Sequence, residues 1–254
     1  MHARRKSPPA QFVSFSGIDG AGKSTQIEAL CMRLQTDGLR VKLITFWDEV
    51  ARLTGVREST GHAIFKGDKG VGTPSAPINR RDKNVRSWFM SGARLCLYFL
   101  DAVSLRLAVK KALCSEADFV IFDRYIYDEL ANLPLHNPVM RTYARLIVKL
   151  VPTPHISYLL DADPVKARAR KPEYPIEFLH TNRQSYLALS ELVGGMTIID
   201  SMPVQEVKRA VLAHAQTALS FRAPQGEAGD GVATKERGSK TAKLDGPRTH
   251  STIP

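Results

Sequence analysis

Phe12-Val13-Ser14-Phe15-Ser16-Gly17-Ile18-Asp19-Gly20-Ala21-Gly22-Lys23-Ser24-Thr25 is the stretch on which the reading of this chain turns. Phe12 to Phe15 is an apolar run of strand length. It enters Gly17 to Ser24, which fits G-x-x-x-x-G-K-[ST], and a helical pattern follows from Lys23 to about Gln35 with Ile27, Leu30, Cys31 and Leu34 on one face. Asp37-Gly38 supplies the stop. In that setting the glycines let successive backbone N–H groups turn inward around a phosphate, and the helix N-terminus adds its partial positive charge. Lys23 would reach the terminal phosphates and Ser24 would offer its hydroxyl to Mg²⁺.

Outward from this loop, apolar runs of strand length alternate with longer helical patterns, the sequence form of a parallel sheet wrapped by helices. Strands are expected at Val41–Phe46, Phe119–Asp123, Ile156–Asp161 and Thr197–Asp200. Helices are expected from about Val85 to Leu113, Asn137 to Leu150, Glu177 to Leu192 and Pro203 to Leu219, with a short one opened by Pro164. In the first of these, Leu95, Phe99, Ala102, Leu105, Val109 and Leu113 recur at steps of three or four and predict a core-facing stripe. Glycines and prolines break every pattern from Trp47 to Asn84, which predicts an irregular basic loop of functional length. Residues 1–10 read as a flexible basic N-terminus, residues 11–221 as one domain, and residues 222–254 as a disordered tail with little to bury.

Composition narrows the function classes. A chain of 254 residues with 43% hydrophobic content can build a substantial core. No apolar run is long enough for a membrane span, and the charged N-terminus lacks an apolar segment for export, so a cytoplasmic location is expected. Cys31, Cys96 and Cys114 are too scattered for a disulfide framework or zinc cluster and are expected to be small core residues. The net charge of +11 is concentrated in Arg4-Arg5-Lys6, in residues 66–86 and in the tail. No aromatic and basic interleaving accompanies it, so nucleic acid is not the expected partner and a small polyanionic ligand is.

Three further groups are candidates for chemistry. Asp123 closes a buried strand where a second acidic residue would hold a metal-bound water or the loop serine, although pairing with Arg124 or capping a helix would also explain it. Arg124 would project into the crevice at the strand's carboxyl end. Asp19 reads either as a further metal-water ligand or as a loop-stabilising acceptor. Arg168, Arg170 and Lys171 form a cationic flap or a solvated basic helix. The seven histidines show no ligand spacing and receive no role.

Taken together, the Gly17–Thr25 loop, Asp123-Arg124-Tyr125, Leu160-Asp161-Ala162-Asp163-Pro164 leading to Arg168 and Arg170, and Asn182-Arg183-Gln184-Ser185-Tyr186-Leu187 resemble the thymidylate kinase family over residues 11–220. The resemblance implies a three-layer α/β P-loop fold with a central parallel sheet of about five strands. It also implies ATP and Mg²⁺, and γ-phosphoryl transfer to a nucleoside monophosphate, most simply thymidylate. On this reading Gly17, Ile18, Asp19, Gly20, Ala21, Gly22, Lys23, Ser24 and Thr25 bind ATP, and Ser24, Asp123 and Asp19 serve the metal. Lys23, Arg124, Arg168 and Arg170 are catalytic, and Phe99, Arg94, Arg124 and Tyr125 contact the acceptor. Nucleotides are then the partners, and a homodimer is compatible with the family.

The chain also departs from that family. Gly20 stands where some members carry a loop arginine, which assigns the need for a catalytic cation to the flap. Phe46-Trp47-Asp48-Glu49 replaces an Arg-Glu-Pro-Gly segment, Val103 replaces a base-reading arginine, and Ile126-Tyr127-Asp128-Glu129 stands where small hydroxyl residues are usual. Phe99 either stacks on the acceptor's base or packs in the core. A kinase for another nucleoside or phosphorylated acceptor, and a nucleotide-binding regulatory protein without kinase activity, are the competing readings.

Overall fold

The computed structural model describes residues 10–50 and 88–220. The N-terminal cations, the loop cations Lys66, Lys69, Arg80 and Arg81, and the tail lie outside the described residues. Strands β1 (Gln11–Ser16), β2 (Val41–Thr45), β3 (Phe119–Asp123), β4 (Ile156–Leu160) and β5 (Thr197–Ile199) form one five-stranded sheet in the order β2-β3-β1-β4-β5. All pairings are parallel. The helices are α1 (Lys23–Thr36), α2 (Trp88–Leu113), α3 (Ile126–Leu130), α4 (Pro138–Leu150), α5 (Pro164–Arg170), α6 (Ile176–Val193) and α7 (Val204–Ser220).

Alternation along the strands builds two cores. Phe12, Ile44, Val120, Phe122 and Leu159 point to one face, where they pack with residues of α2, α3, α4 and α6. Val13, Phe15, Ile121, Tyr158 and Leu160 point to the other, against Ile27, Leu30 and Leu34 of α1 and Val207, Val211 and Ala215 of α7. The sheet is therefore the middle of three layers, as the sequence predicts. β1 is buried along its whole length because it is the central strand with both faces covered.

Chain order reverses across β1 and β3, and the crevice beyond the carboxyl ends of strands at such a switch point is where open α/β sheets bind ligands. Here the register pairs Phe15 with Asp123 and the Arg124 N–H donates to the Phe15 carbonyl at 3.0 Å. The start of the phosphate loop and the Asp123-Arg124 pair are thus delivered side by side.

Several expectations need correction. β2 stops at Thr45, not Phe46, because Phe46 turns its ring into the core while residues 46–50 wind into a π-helical turn. The Glu49 carboxylate accepts the Thr45 N–H at 3.3 Å. Helix α3 has no signal in the sequence because its five residues, Asp128 and Glu129 among them, are all buried and span too few turns to show a helical period. In α2, Ala102, Leu105 and Val109 are core residues as expected, but Phe99 is 47% exposed and lies off the buried stripe. The cysteines are not core residues either: Cys96 and Cys114 are exposed and Cys31 is half-buried. Among the described residues no helix is long and apolar enough to cross a membrane.

Thiol accessibility checks this packing. Burial pushes the Cys31 thiol above its ordinary ionisation range, so Ellman's reagent is expected to modify Cys96 and Cys114 in the native protein before Cys31. Mass-spectrometric mapping that finds Cys31 modified first would contradict the placement of α1 on the sheet.

Candidate active site

The loop between β1 and α1 takes its shape from glycine. Gly22 caps α1 at φ 90°, a left-handed conformation that L side chains rarely adopt. Gly20, at φ 81°, lies so tightly against the backbone of α5 that a Cβ there would overlap the Ala167 carbonyl. This is a steric reason for glycine at that position: a larger side chain would drive α5, and with it Arg168 and Arg170, away from the loop.

Lys23 opens α1 and is 7% exposed. Its ammonium donates to the carbonyls of Gly17 at 2.6 Å and Ile18 at 3.0 Å. Burial, together with the nearby positive charge of Arg124, lowers its pKa to about 8, while Asp128, Asp19 and Asp123 act in the opposite direction. Lys23 therefore still carries its proton at neutral pH. Ser24 and Thr25 are exposed on the first turn of the helix.

Arg124 is the described non-glycine residue with positive φ, at 68°, a strained backbone that costs on the order of 1 kcal/mol or more. Its guanidinium pairs with Asp19 from the loop and with Asp128 of α3 at 3.3 Å. Burial alone would lower the arginine's pKa, but the two carboxylates more than reverse that and hold it charged. Burial would raise the pKa of Asp19, but Arg124, Lys23 and Lys171 overcome it and bring the group down to about 2. Lys171 follows α5, so the flap's charge is felt inside the loop. Asp123 is shifted the other way: burial raises its pKa, with Lys23 and Arg124 pulling it back.

Asp128, unassigned by the sequence, is the shared acceptor of this cluster. It is 4% exposed and accepts from Ser16 Oγ at 2.7 Å, from the Tyr125 N–H at 3.1 Å and from the Tyr186 hydroxyl at 2.8 Å, besides Arg124. A second unforeseen pair joins Arg183 of α6 to Asp161 at the end of β4, through two hydrogen bonds of 2.6 Å each. Asp161 shares a cleft beside the phosphate loop with Gly22, Thr25, Gln26, Arg170 and Asp200. No spacing rule links residues 16, 128 and 186, so pattern reading had no signal for this cluster.

The remaining candidates separate. Arg168 is half-buried next to the Gly20 contact, and Arg170 is exposed on the cleft wall. Phe99 and Arg94 both lie on α2, with Phe99 half-exposed and Arg94 half-buried. Tyr125 is misplaced in the sequence reading as an acceptor contact: its side chain is fully buried, and its hydroxyl donates to the Pro152 carbonyl at 2.5 Å. The chain turns after Arg124, which sends the tyrosine ring between Phe12, Phe122 and Tyr127.

The chain is similar to known proteins in sequence and fold. No family model matches the chain. Proteins named probable thymidylate kinase from Pyrobaculum calidifontis and Pyrobaculum aerophilum are similar to it, at 26% identity over 227 residues and 27% over 225. The alignments cover 82% and 83% of this chain and 97% and 99% of those proteins. The crystal structure of thymidylate kinase from Ehrlichia chaffeensis has the same fold, with a TM-score of 0.52 and 19% identity over 82% of this chain and 99% of the other. The chain is a divergent relative of the thymidylate kinases. This thymidylate kinase relative places Asp128 against the arginine of its Asp123-Arg124-Tyr125 segment.

The ionisation of Asp19 has a measurable consequence. Its pKa is depressed from 3.8 to about 2 in the folded chain, so its contribution to stability is present above pH 3.8 and is lost as pH falls through about 2. At neutral pH that contribution is about 2 kcal/mol. Asp19→Asn is expected to lower the urea-unfolding free energy by about this amount at pH 6–7, with the difference shrinking below pH 4. A pH-independent difference would show that the carboxylate's charge is not what Arg124 holds.

Proposed function

We propose that this chain transfers the γ-phosphoryl group of ATP to a nucleoside monophosphate, with thymidylate the first acceptor to test. One observation carries the reading. The phosphate loop with its charged Lys23, Asp123 at the end of β3, and Arg124 fixed between two carboxylates all meet at the sheet's switch point. The thymidylate kinase names of the relatives support the acceptor class.

Phosphoryl transfer asks the protein mainly for positioning and for positive charge where negative charge develops. Loop N–H groups and the N-terminus of α1 would hold the donor phosphates, with Lys23 on the terminal ones. The cleft lined by Gly22, Gln26, Asp161 and Arg170 would take the rest of the donor nucleotide. Arg124, at the crevice beside β1, would hold the acceptor's phosphate. Arg168, which follows the Ala167 that Gly20 touches, would neutralise the transferring group.

A hard divalent cation fits the donor set, since Mg²⁺ is commonly held by one or two oxygen ligands together with substrate phosphates. The exposed Ser24 hydroxyl and the Asp123 carboxylate are those oxygens, and Asp19 is the further candidate although Arg124 already engages it. Bound there, the ion would neutralise charge on the phosphate oxygens. A cytoplasmic location belongs to the same proposal. A different acceptor is the second reading, favoured by Val103, which is half-buried on α2 and has no side-chain donor for a base edge.

Two outcomes test this. Lys23→Ala is expected to abolish ADP release in a coupled assay with ATP and thymidylate while leaving the circular dichroism spectrum unchanged; retained turnover would remove the loop from the reaction. Arg168→Ala is expected to lower kcat by about 10³-fold, whereas Arg170→Ala should act mainly on the KM for ATP because it lines the donor cleft. Wild-type activity in both variants would reduce α5 to a solvated basic helix. Running the assay across other monophosphates and nucleosides decides between the two acceptor readings.

A further inference from the structure

We infer that Asp128 is the residue that positions Arg124 for the acceptor's phosphate, and that this chain uses a buried carboxylate to hold its acceptor arginine from below. The inference rests on the kinase reading above and concerns how the acceptor half of the site is kept in register.

The geometry divides the carboxylate into two functions. Oδ2 accepts from Ser16 Oγ at 2.7 Å and from the Tyr125 N–H at 3.1 Å, which anchors Asp128 to the end of β1 and to the first turn of α3. Oδ1 accepts from the Tyr186 hydroxyl at 2.8 Å and faces Arg124 Nη1 at 3.3 Å. One side chain thus ties together the strand that feeds the phosphate loop, the turn that carries Arg124, and helix α6. The Asp128 side chain is 1% exposed, against 21% for Arg124 and 17% for Asp19. Its charge is therefore little screened by water and acts on Arg124, the charged member of its hydrogen-bond partners, and more weakly on Lys23.

The second carboxylate explains how Arg124 can serve a ligand. Asp19 holds the guanidinium from the loop side, where phosphates are expected, so an incoming phosphate would compete with Asp19 for the same N–H groups. Asp128 lies behind, out of solvent, and its hydrogen bond would survive that exchange. An arginine held by Asp19 alone would lose its anchor as the ligand arrived. With Asp128 in place the guanidinium keeps one fixed side, and less side-chain freedom must be lost on binding.

Asp128→Asn is a selective probe. An amide turned so that its oxygen takes the place of Oδ2 still accepts from Ser16 and Tyr125, and its NH₂ can donate to the Tyr186 hydroxyl. Arg124 loses an acceptor and meets a donor instead, while the Tyr186 hydroxyl keeps the contact by changing from donor to acceptor. Asp128→Ser is the companion variant, smaller and uncharged. Binding of thymidylate by calorimetry and steady-state KM values would be measured for wild type, both variants, Arg124→Ala and the Arg124→Ala/Asp128→Asn double variant.

The expected result for both Asp128 variants is a Kd and KM for thymidylate raised about tenfold or more, with the KM for ATP changed less than about threefold. The double variant should be no worse toward thymidylate than Arg124→Ala alone, because a positioning residue has nothing to act through once its arginine is gone. Losses that multiply in the double variant, or a fall in kcat with both KM values intact, would overturn the inference and leave Asp128 a purely structural buried acid. A wild-type protein that binds thymidylate and other monophosphates not at all would overturn the kinase reading together with it, and so separates the two failures.

Discussion

The guanidinium of Arg124, held between Asp19 and Asp128, is the interaction around which the rest of the site is arranged. Three charges are placed in a largely buried cluster, and each would be costly there without the others. Their attraction holds a strained backbone at Arg124, keeps the arginine charged, and lowers the pKa of the loop carboxylate. The same charges reach Lys23, whose pKa burial and Arg124 lower to about 8 while Asp128, Asp19 and Asp123 act in the opposite direction. Within this net-negative group the arginine keeps its positive charge at neutral pH.

That arrangement depends on the sheet beneath it. Because β1 and β3 are parallel neighbours in register, the phosphate loop and the Asp123-Arg124 turn leave the sheet at the same height and the same edge of the crevice. The buried rings of Phe12, Phe122, Tyr125 and Tyr127 pack edge to face directly under the turn, so Arg124 projects from a rigid base. The close approach of Gly20 to Ala167 couples the loop to α5 in the same way. Loop, turn and flap thus meet through backbone contacts, and the catalytic candidates inherit their positions from those contacts.

On the acceptor side the chain departs most from the family it resembles. Its half-exposed Phe99 remains available as a stacking surface, while Val103 provides no donor for a base edge. Asp128, in a segment where small hydroxyl residues are usual, adds a buried negative charge behind Arg124. These differences are concentrated where an acceptor would be read, whereas the phosphate loop keeps every element of its pattern.

Local pattern was enough for the phosphate loop, the alternation of strands and helices and the parallel sheet, because each follows from spacing within a dozen residues: glycines before Lys23-Ser24, short apolar strands, and apolar steps of three or four in α2. It was not enough for α3, whose five buried residues carry no periodic signal, nor for Tyr125, which neighbours Arg124 in sequence yet points into the core. Asp128 shows the limit most plainly. Its partners Ser16, Tyr125, Arg124 and Tyr186 come from β1, from the turn after β3 and from α6, and only the packing of those elements against the sheet brings them within 2.7–3.3 Å of one carboxylate. The sequence by itself determined that a phosphate-binding loop would open an α/β sheet, since that chemistry is written in consecutive residues. Tertiary structure alone decided which distant side chains would charge, bury and orient the arginine beside it, since long-range electrostatics has no local spacing to read.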